Sequence, residues 1–244
     1  LYREIFFLHS PLLICATAVL GWLLGFSGAL FRLIVGVSIG TTAGLVVADA
    51  GRRRGRSAAI AALLLGTPLL LGWVVYTEGP ALWPDPILAP LLLSGALALE
   101  RFERRGARRD LALGFLVLGT AILVKQTAAW AGFAALVWLV ARSRRRDPYT
   151  VVRAGLLLVA PCAFFGLVWG LVFRTTSHLY WVFIVPLIHG STGETAVPAD
   201  LATVHEALVL SLGFAALSLL ALVLPAGRRL RSPVIWIAAG GTLM

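Results

Sequence analysis

Charge is scarce in this chain, and lysine is almost absent. Charged residues make up 13% of its 244 residues against 59% hydrophobic, where soluble domains carry about 25% charged and 45–50% apolar residues. A soluble fold of this length could not cover so much apolar surface, so the composition excludes a water-soluble globular protein and points to the bilayer. Cysteine occurs only at Cys15 and Cys162, both in apolar runs. That argues against a disulfide framework or a cysteine metal site, and both read as small packing residues. Eleven acidic residues face 21 basic ones, for a net charge of +10. The excess is no nucleic-acid footprint, because the arginines come in short clusters between hydrophobic segments, the pattern of positive cytoplasmic loops. No nucleic-acid partner is expected. Leu1 is not a start methionine and Met244 closes a short hydrophobic run, so the expectation is an internal piece of a longer membrane protein.

Four clusters mark the inner side: 52–56, Arg101 to Arg109, Arg142 to Arg146 and Arg228 to Arg231. Residues 57–76 then run outward and 87–100 return. The apolar stretch 110–141, interrupted once by Lys125-Gln126, reads as two short helices, out and back, with that pair at the outer bend. Residues 151–173 go out, 174–206 form a long outer loop, 207–225 come back and 233–244 start out again. At the beginning, 11–25 is short for the roughly 20 residues a span needs. It reads as a helix in the membrane surface, and Arg32 stands at the outer mouth of the first span. All four histidines then share the outer side. The expectation is one all-α integral membrane domain: 1–31 as outer loop with surface helix, 32–173 as transmembrane helices, 174–206 as outer loop, and 207–244 as further helices.

Lys125 is the only lysine, while arginine serves everywhere else, including at every inner boundary. A lysine is a compact point charge suited to phosphate, and an ionisable residue within a membrane segment is a functional hypothesis by default. Three further outer stretches carry polar groups. "LYREIFFLHSPLL" holds Tyr2, Arg3, Glu4 and His9 before a helix-starting Pro11. "LWPDPILAP" holds Asp85 between two prolines, where an ordinary helix cap is the alternative reading. "FRTTSHLYWVFIVPLIHG" holds Arg174, His178, Tyr180 and Trp181; the two aromatics also suit an interfacial belt, and Arg32 and Arg174 could snorkel to headgroups. Cations near the headgroup level can hold a phosphate whose lipid tail lies in the bilayer, and carboxylates beside it can act as general base or hold a metal.

At these residues the chain resembles membrane glycosyltransferases of the protein O-mannosyltransferase type, family 39, and its bacterial relatives, which include the lipid A aminoarabinose transferases, all of the GT-C fold. The family's Tyr-Arg-Asp … His/Lys-Pro-Pro-Leu pattern stands here as Tyr2-Arg3-Glu4 … His9-Ser10-Pro11-Leu12, with Glu4 and Ser10 as mild departures. Arg32-Leu33, Asp85-Pro86 and the Gly119 to Gln126 segment follow in the family's order. The resemblance implies inverting transfer of a sugar from a polyprenyl-phosphate carrier to a protein or glycan acceptor outside the cytoplasmic membrane. Asp85 and Glu4 would be the acidic residues of the site, Asp85 assisting and Glu4 orienting the site or holding a metal. Tyr2, Arg3, His9, Arg32, Lys125, Gln126 and His178 would contact substrate. The family's main catalytic aspartate lies upstream of the Tyr-Arg-Asp loop, so this stretch alone should be inactive. The resemblance names no metal ligand set and leaves open whether a divalent metal is needed.

Two rivals stand beside this reading. A transporter or flippase of lipid-linked glycans should show charges at the bilayer midplane and an internal repeat; the polar residues lie on one side, and no repeat is evident. A structural subunit would use 174–206 for docking and would tolerate loss of Lys125 and Asp85.

Overall fold

A computed structural model of the chain describes residues 11–25, 27–64, 84–141, 143, 147–173, 232–234 and 236–237, and all regular structure among them is helical. Helix α1 (Pro11–Leu24) opens with its proline, whose missing N–H and fixed φ suit a first helical position. Its 14 residues make about 21 Å of helix, short of a hydrocarbon core roughly 30 Å thick. Gly25, at φ +83°, breaks the chain's direction. Helix α2 (Gly28–Arg54) then starts under Ser27, whose side chain accepts the Leu30 N–H at 3.2 Å. It ends on Arg52, Arg53 and Arg54, which complement the negative end of its dipole. Residues 56–64 continue as α3.

Helix α4 (Pro84–Arg105) and α5 (Arg108–Val124) form a tight hairpin through Gly106, at φ +73°, whose N–H donates to the Phe102 carbonyl at 2.7 Å. A single helical turn, Gln126–Ala128, follows α5 and leads into α6 (Ala129–Ala141). Helix α7 (Pro148–Phe173) completes the described bundle. Asp147 caps it, accepting the Thr150 N–H at 2.9 Å and the Thr150 hydroxyl.

Helix α5 is the central element: α4 packs on one side and α7 on another, while α6 touches both α5 and α7. Helix α2 lies on α4, and α1 packs on α5 rather than along α2. Leu99, Phe115, Leu118, Trp138 and Leu139 are fully buried where these helices meet. The close approach of α5 to α7 depends on Gly119, since a Cβ there would collide with the Leu158 carbonyl oxygen. Cys162 donates its thiol toward the Gly119 carbonyl at 3.7 Å, so this cysteine sits in the helix contact as a packing residue.

The outer faces are apolar. Along α7, Leu156, Phe164, Leu167 and Leu171 are each more than 60% exposed. Contiguous exposed apolar surface of this kind is rare on soluble monomers, and α2 and α7 are both long and apolar enough to cross a membrane. The expected long outer loop 174–206 and the helix 207–225 lie outside the described residues. Of 233–244, residues 233–234 and 236–237 are helical.

Candidate functional site

Lys125 terminates α5. Its backbone is extended (φ −151°, ψ 124°), yet its N–H still donates to the Ala121 carbonyl at 3.0 Å, and its own carbonyl accepts the Ala128 N–H at 3.0 Å. The chain thus closes one helix and opens a tighter turn on the same residue. The cation stands at a helix C-terminus, where the dipole favours positive charge. Lys125 and Gln126 are both half-buried.

The same turn carries a polar group that the sequence reading passed over. Thr127 Oγ1 is buried and has no hydrogen-bond partner among the described residues. A buried hydroxyl without a partner is costly unless a group beyond the described residues satisfies it. A threonine two residues past the lysine was the available signal, and it is a weak one, because threonine is unremarkable in apolar helices.

Against this turn packs the beginning of α4. Leu88 is buried with Ala121 and Ala128 in a small apolar cluster, with Leu91, Leu92 and Ile122 beside it. Asp85 lies three residues before Leu88, on the first turn of α4. The structure therefore brings Asp85 and Lys125, two of the residues singled out from sequence, to one end of the bundle. Arg32 lies in the second turn of α2, with an exposed side chain. Tyr2, Arg3, Glu4, His9 and His178 lie outside the described residues. Among the described residues no three His, Cys, Asp or Glu side chains gather as a metal site.

The opposite end is where the first two arginine clusters, 52–56 and Arg101 to Arg109, meet. Arg53 of α2 donates to Glu100 of α4 at 2.7 Å through one nitrogen and pairs with its second oxygen, while Arg53 Nε reaches Asp49 at 2.6 Å. Arg104 reaches the same Glu100 at 2.6 Å. Arg101 lies 3.5 Å from buried Asp110 across the α4–α5 turn. Ser143, just past α6, donates to Glu103 at 2.7 Å. These contacts place the C-terminal ends of α2, α4 and α6 and the start of α5 together. The acidic residues among the arginines are thus largely spent on holding helix ends. Lys125 is at the far end of α5, about 22 Å of helix from Asp110.

Residues 9–169 match the family model described as dolichyl-phosphate-mannose-protein mannosyltransferase. The chain belongs to this family. Its members are membrane-integral glycosyltransferases that use a polyprenyl-phosphate sugar donor, and the apolar faces of α2 and α7 agree with that setting. The mannosyltransferase match begins at His9 and runs through Arg32, Asp85 and the Lys125 turn to Trp169 of α7. Tyr2, Arg3, Glu4 and His178 fall outside it. Comparison with curated proteins and with solved structures gave no match for the chain.

Proposed function

We propose that this protein transfers a hexosyl or pentosyl group from a polyprenyl-phosphate donor to a protein or glycan acceptor on the extracytoplasmic face of the cytoplasmic membrane. The observation that carries the proposal is the separation of charge along α5: arginines and their carboxylate partners crowd one end, and the chain's only lysine stands at the other. Positive clusters mark the cytoplasmic side, so the Lys125 turn faces outward, where the acceptor is.

In this reading Lys125 holds the donor phosphate at headgroup depth, and the Thr127 hydroxyl gives a phosphate oxygen a neutral donor from the same turn. Arg32, Arg3 and His9 add positive charge from the α1–α2 side. The bond between the sugar's anomeric carbon and the phosphate oxygen breaks as the acceptor hydroxyl oxygen attacks from the opposite face and gives its proton to a carboxylate acting as general base. Negative charge then builds on the departing lipid phosphate, where fixed cations stabilise the transition state more than the ground state. Asp85, at the mouth of α4, takes the assisting acidic role, and Glu4 orients the outer loop. Tyr2, Gln126 and His178 contact the sugar or the acceptor.

The test is sugar transfer by the full-length protein in membranes, with a polyprenyl-phosphate sugar as donor. Lys125→Ala and Asp85→Asn should each lower transfer about tenfold or more, the size expected when a charge-assisted contact is lost. Full activity in both variants would remove the transferase assignment of this turn and favour a structural role for this membrane domain.

A further inference from the structure

A cleft of about 200 Å3 opens at the arginine end of the bundle, between the α4–α5 turn and the start of α7. Its floor is apolar, made by Phe102 and Leu111, which are 4% and 2% exposed. Arg108, Arg153, Tyr149 and Thr150 supply the polar lining. Asp147 also borders it, but its carboxylate is engaged by Thr150 as the α7 cap, and two guanidinium groups against one carboxylate leave the cleft positive. Neither Arg108 nor Arg153 belongs to the ion pairs that hold the neighbouring helix ends together.

The size and position of the cleft narrow what it can hold. A volume of about 200 Å3 falls below the roughly 300–1,000 Å3 of sites that enclose a whole small molecule. It suits a phosphate with a few attached atoms. The cleft lies where the membrane-length apolar segment Pro148–Leu171 begins, which is headgroup depth. From its rim an apolar stripe continues along α7: Tyr149, Val152 and Leu156 recur at three- and four-residue spacing and are 69%, 62% and 68% exposed. A free anion has no use for such a stripe, whereas an acyl chain does.

We infer that this cleft binds the phosphate of an anionic phospholipid from the leaflet on the arginine side, with the headgroup between Arg108 and Arg153 and an acyl chain along Val152 and Leu156. Basic pockets between membrane helices on the cytoplasmic side commonly take such headgroups. The site lies at the end of the bundle away from Lys125, so it does not depend on how the sugar is transferred.

The full-length protein is purified in mild detergent, and its retention of phosphatidylglycerol against phosphatidylcholine is measured by native mass spectrometry. Replacing Arg108 and Arg153 together by glutamine should weaken phosphatidylglycerol retention roughly fivefold per arginine, the effect of one basic residue at an anionic surface. Arg56→Gln, at an exposed arginine outside the cleft, should change nothing. Arg108→Gln alone replaces an exposed side chain and should show about half the logarithmic effect, which keeps the test readable if the double variant unfolds. Retention in Arg108→Gln equal to the parent, or an equal loss in Arg56→Gln, would overturn the inference. So would displacement of the lipid by millimolar inorganic phosphate, which would make the cleft a site for soluble anions.

Discussion

Ser143 donates a hydrogen bond to Glu103 at 2.7 Å, and that contact shows where Lys125 must be. The chain leaves the arginine end at Arg108, turns at Lys125, and is back beside α4 when it reaches Ser143. The turn is consequently the point of this hairpin farthest from the arginine clusters. A lysine at the only reversal of an otherwise apolar hairpin is well placed to face a headgroup phosphate, and badly placed to serve the opposite surface.

The orientation of the bundle predicts a labelling pattern. With Cys15 and Cys162 replaced by alanine, a cysteine at Gly28, where an added Cβ meets nothing within 4 Å, should react with an impermeant maleimide from outside intact cells. A cysteine at Ser57, exposed beyond the arginine end of α2, should react only after permeabilisation. The reverse pattern would place Lys125 on the cytoplasmic side.

The α5–α7 crossing predicts an asymmetry between two glycines. Gly119→Ala directs a methyl group at the Leu158 carbonyl, a backbone atom that cannot swing away, and should destabilise the protein by about 1–3 kcal/mol. Gly155→Ala, with open space around its Cβ position, should be neutral or slightly stabilising through helix propensity. Thermal unfolding in detergent distinguishes them; equal melting temperatures would mean that the crossing is looser than described.

Glu100 joins α2 to α4 by accepting from Arg53 and Arg104, with its side chain only 12% exposed. Glu100→Gln leaves Arg104 without its carboxylate partner and Arg53 with Asp49 alone, and should cost about 1–2 kcal/mol, shrinking as salt is raised. A double-mutant cycle with Arg53→Gln checks the pairing, and a coupling energy of zero would show that the contact contributes nothing to joining the helices.

Asp147 lies outside the membrane-length segment, and the Thr150 hydroxyl and N–H hold its carboxyl below its ordinary value of 3.8. A depressed folded-state value means that the cap stabilises α7 while the carboxylate is charged, above that ordinary value, and is lost as pH falls through the lower folded value. Asp147→Asn should therefore narrow the difference in stability between neutral and strongly acidic pH. An unchanged pH profile would show that the cap is not coupled to folding.

Much of this arrangement was legible in the residues. The Lys125-Gln126 interruption falls where α5 ends, because a cation next to a polar amide has no place inside an apolar span. The first two arginine clusters meet at one end, as clusters marking one side of a membrane should; the arginines of the third lie outside the described residues. Pro11 does open a short helix. The helix ends were less legible: α4 begins at Pro84 rather than 87, and α7 at Pro148 rather than 151, since prolines and the Asp147 cap start helices before the apolar run itself. Which helices touch could not be read at all. Leu111, Phe115 and Leu118 are buried on α5 while Leu113 and Leu116 are exposed, yet all five are equally apolar. In a bilayer, hydrophobic pattern does not choose the packed face; small residues such as Gly119 do. Thr127 escaped notice for a similar reason, because only its burial sets it apart.

The most direct test is the affinity of the full-length protein for a polyprenyl phosphate. Lys125→Ala should weaken binding several-fold, Lys125→Arg should recover part of it, and Thr127→Val should weaken it by a smaller factor. If Lys125→Ala and Lys125→Arg both bind the lipid phosphate as tightly as the parent, the turn does not hold the donor and the account of this site is wrong.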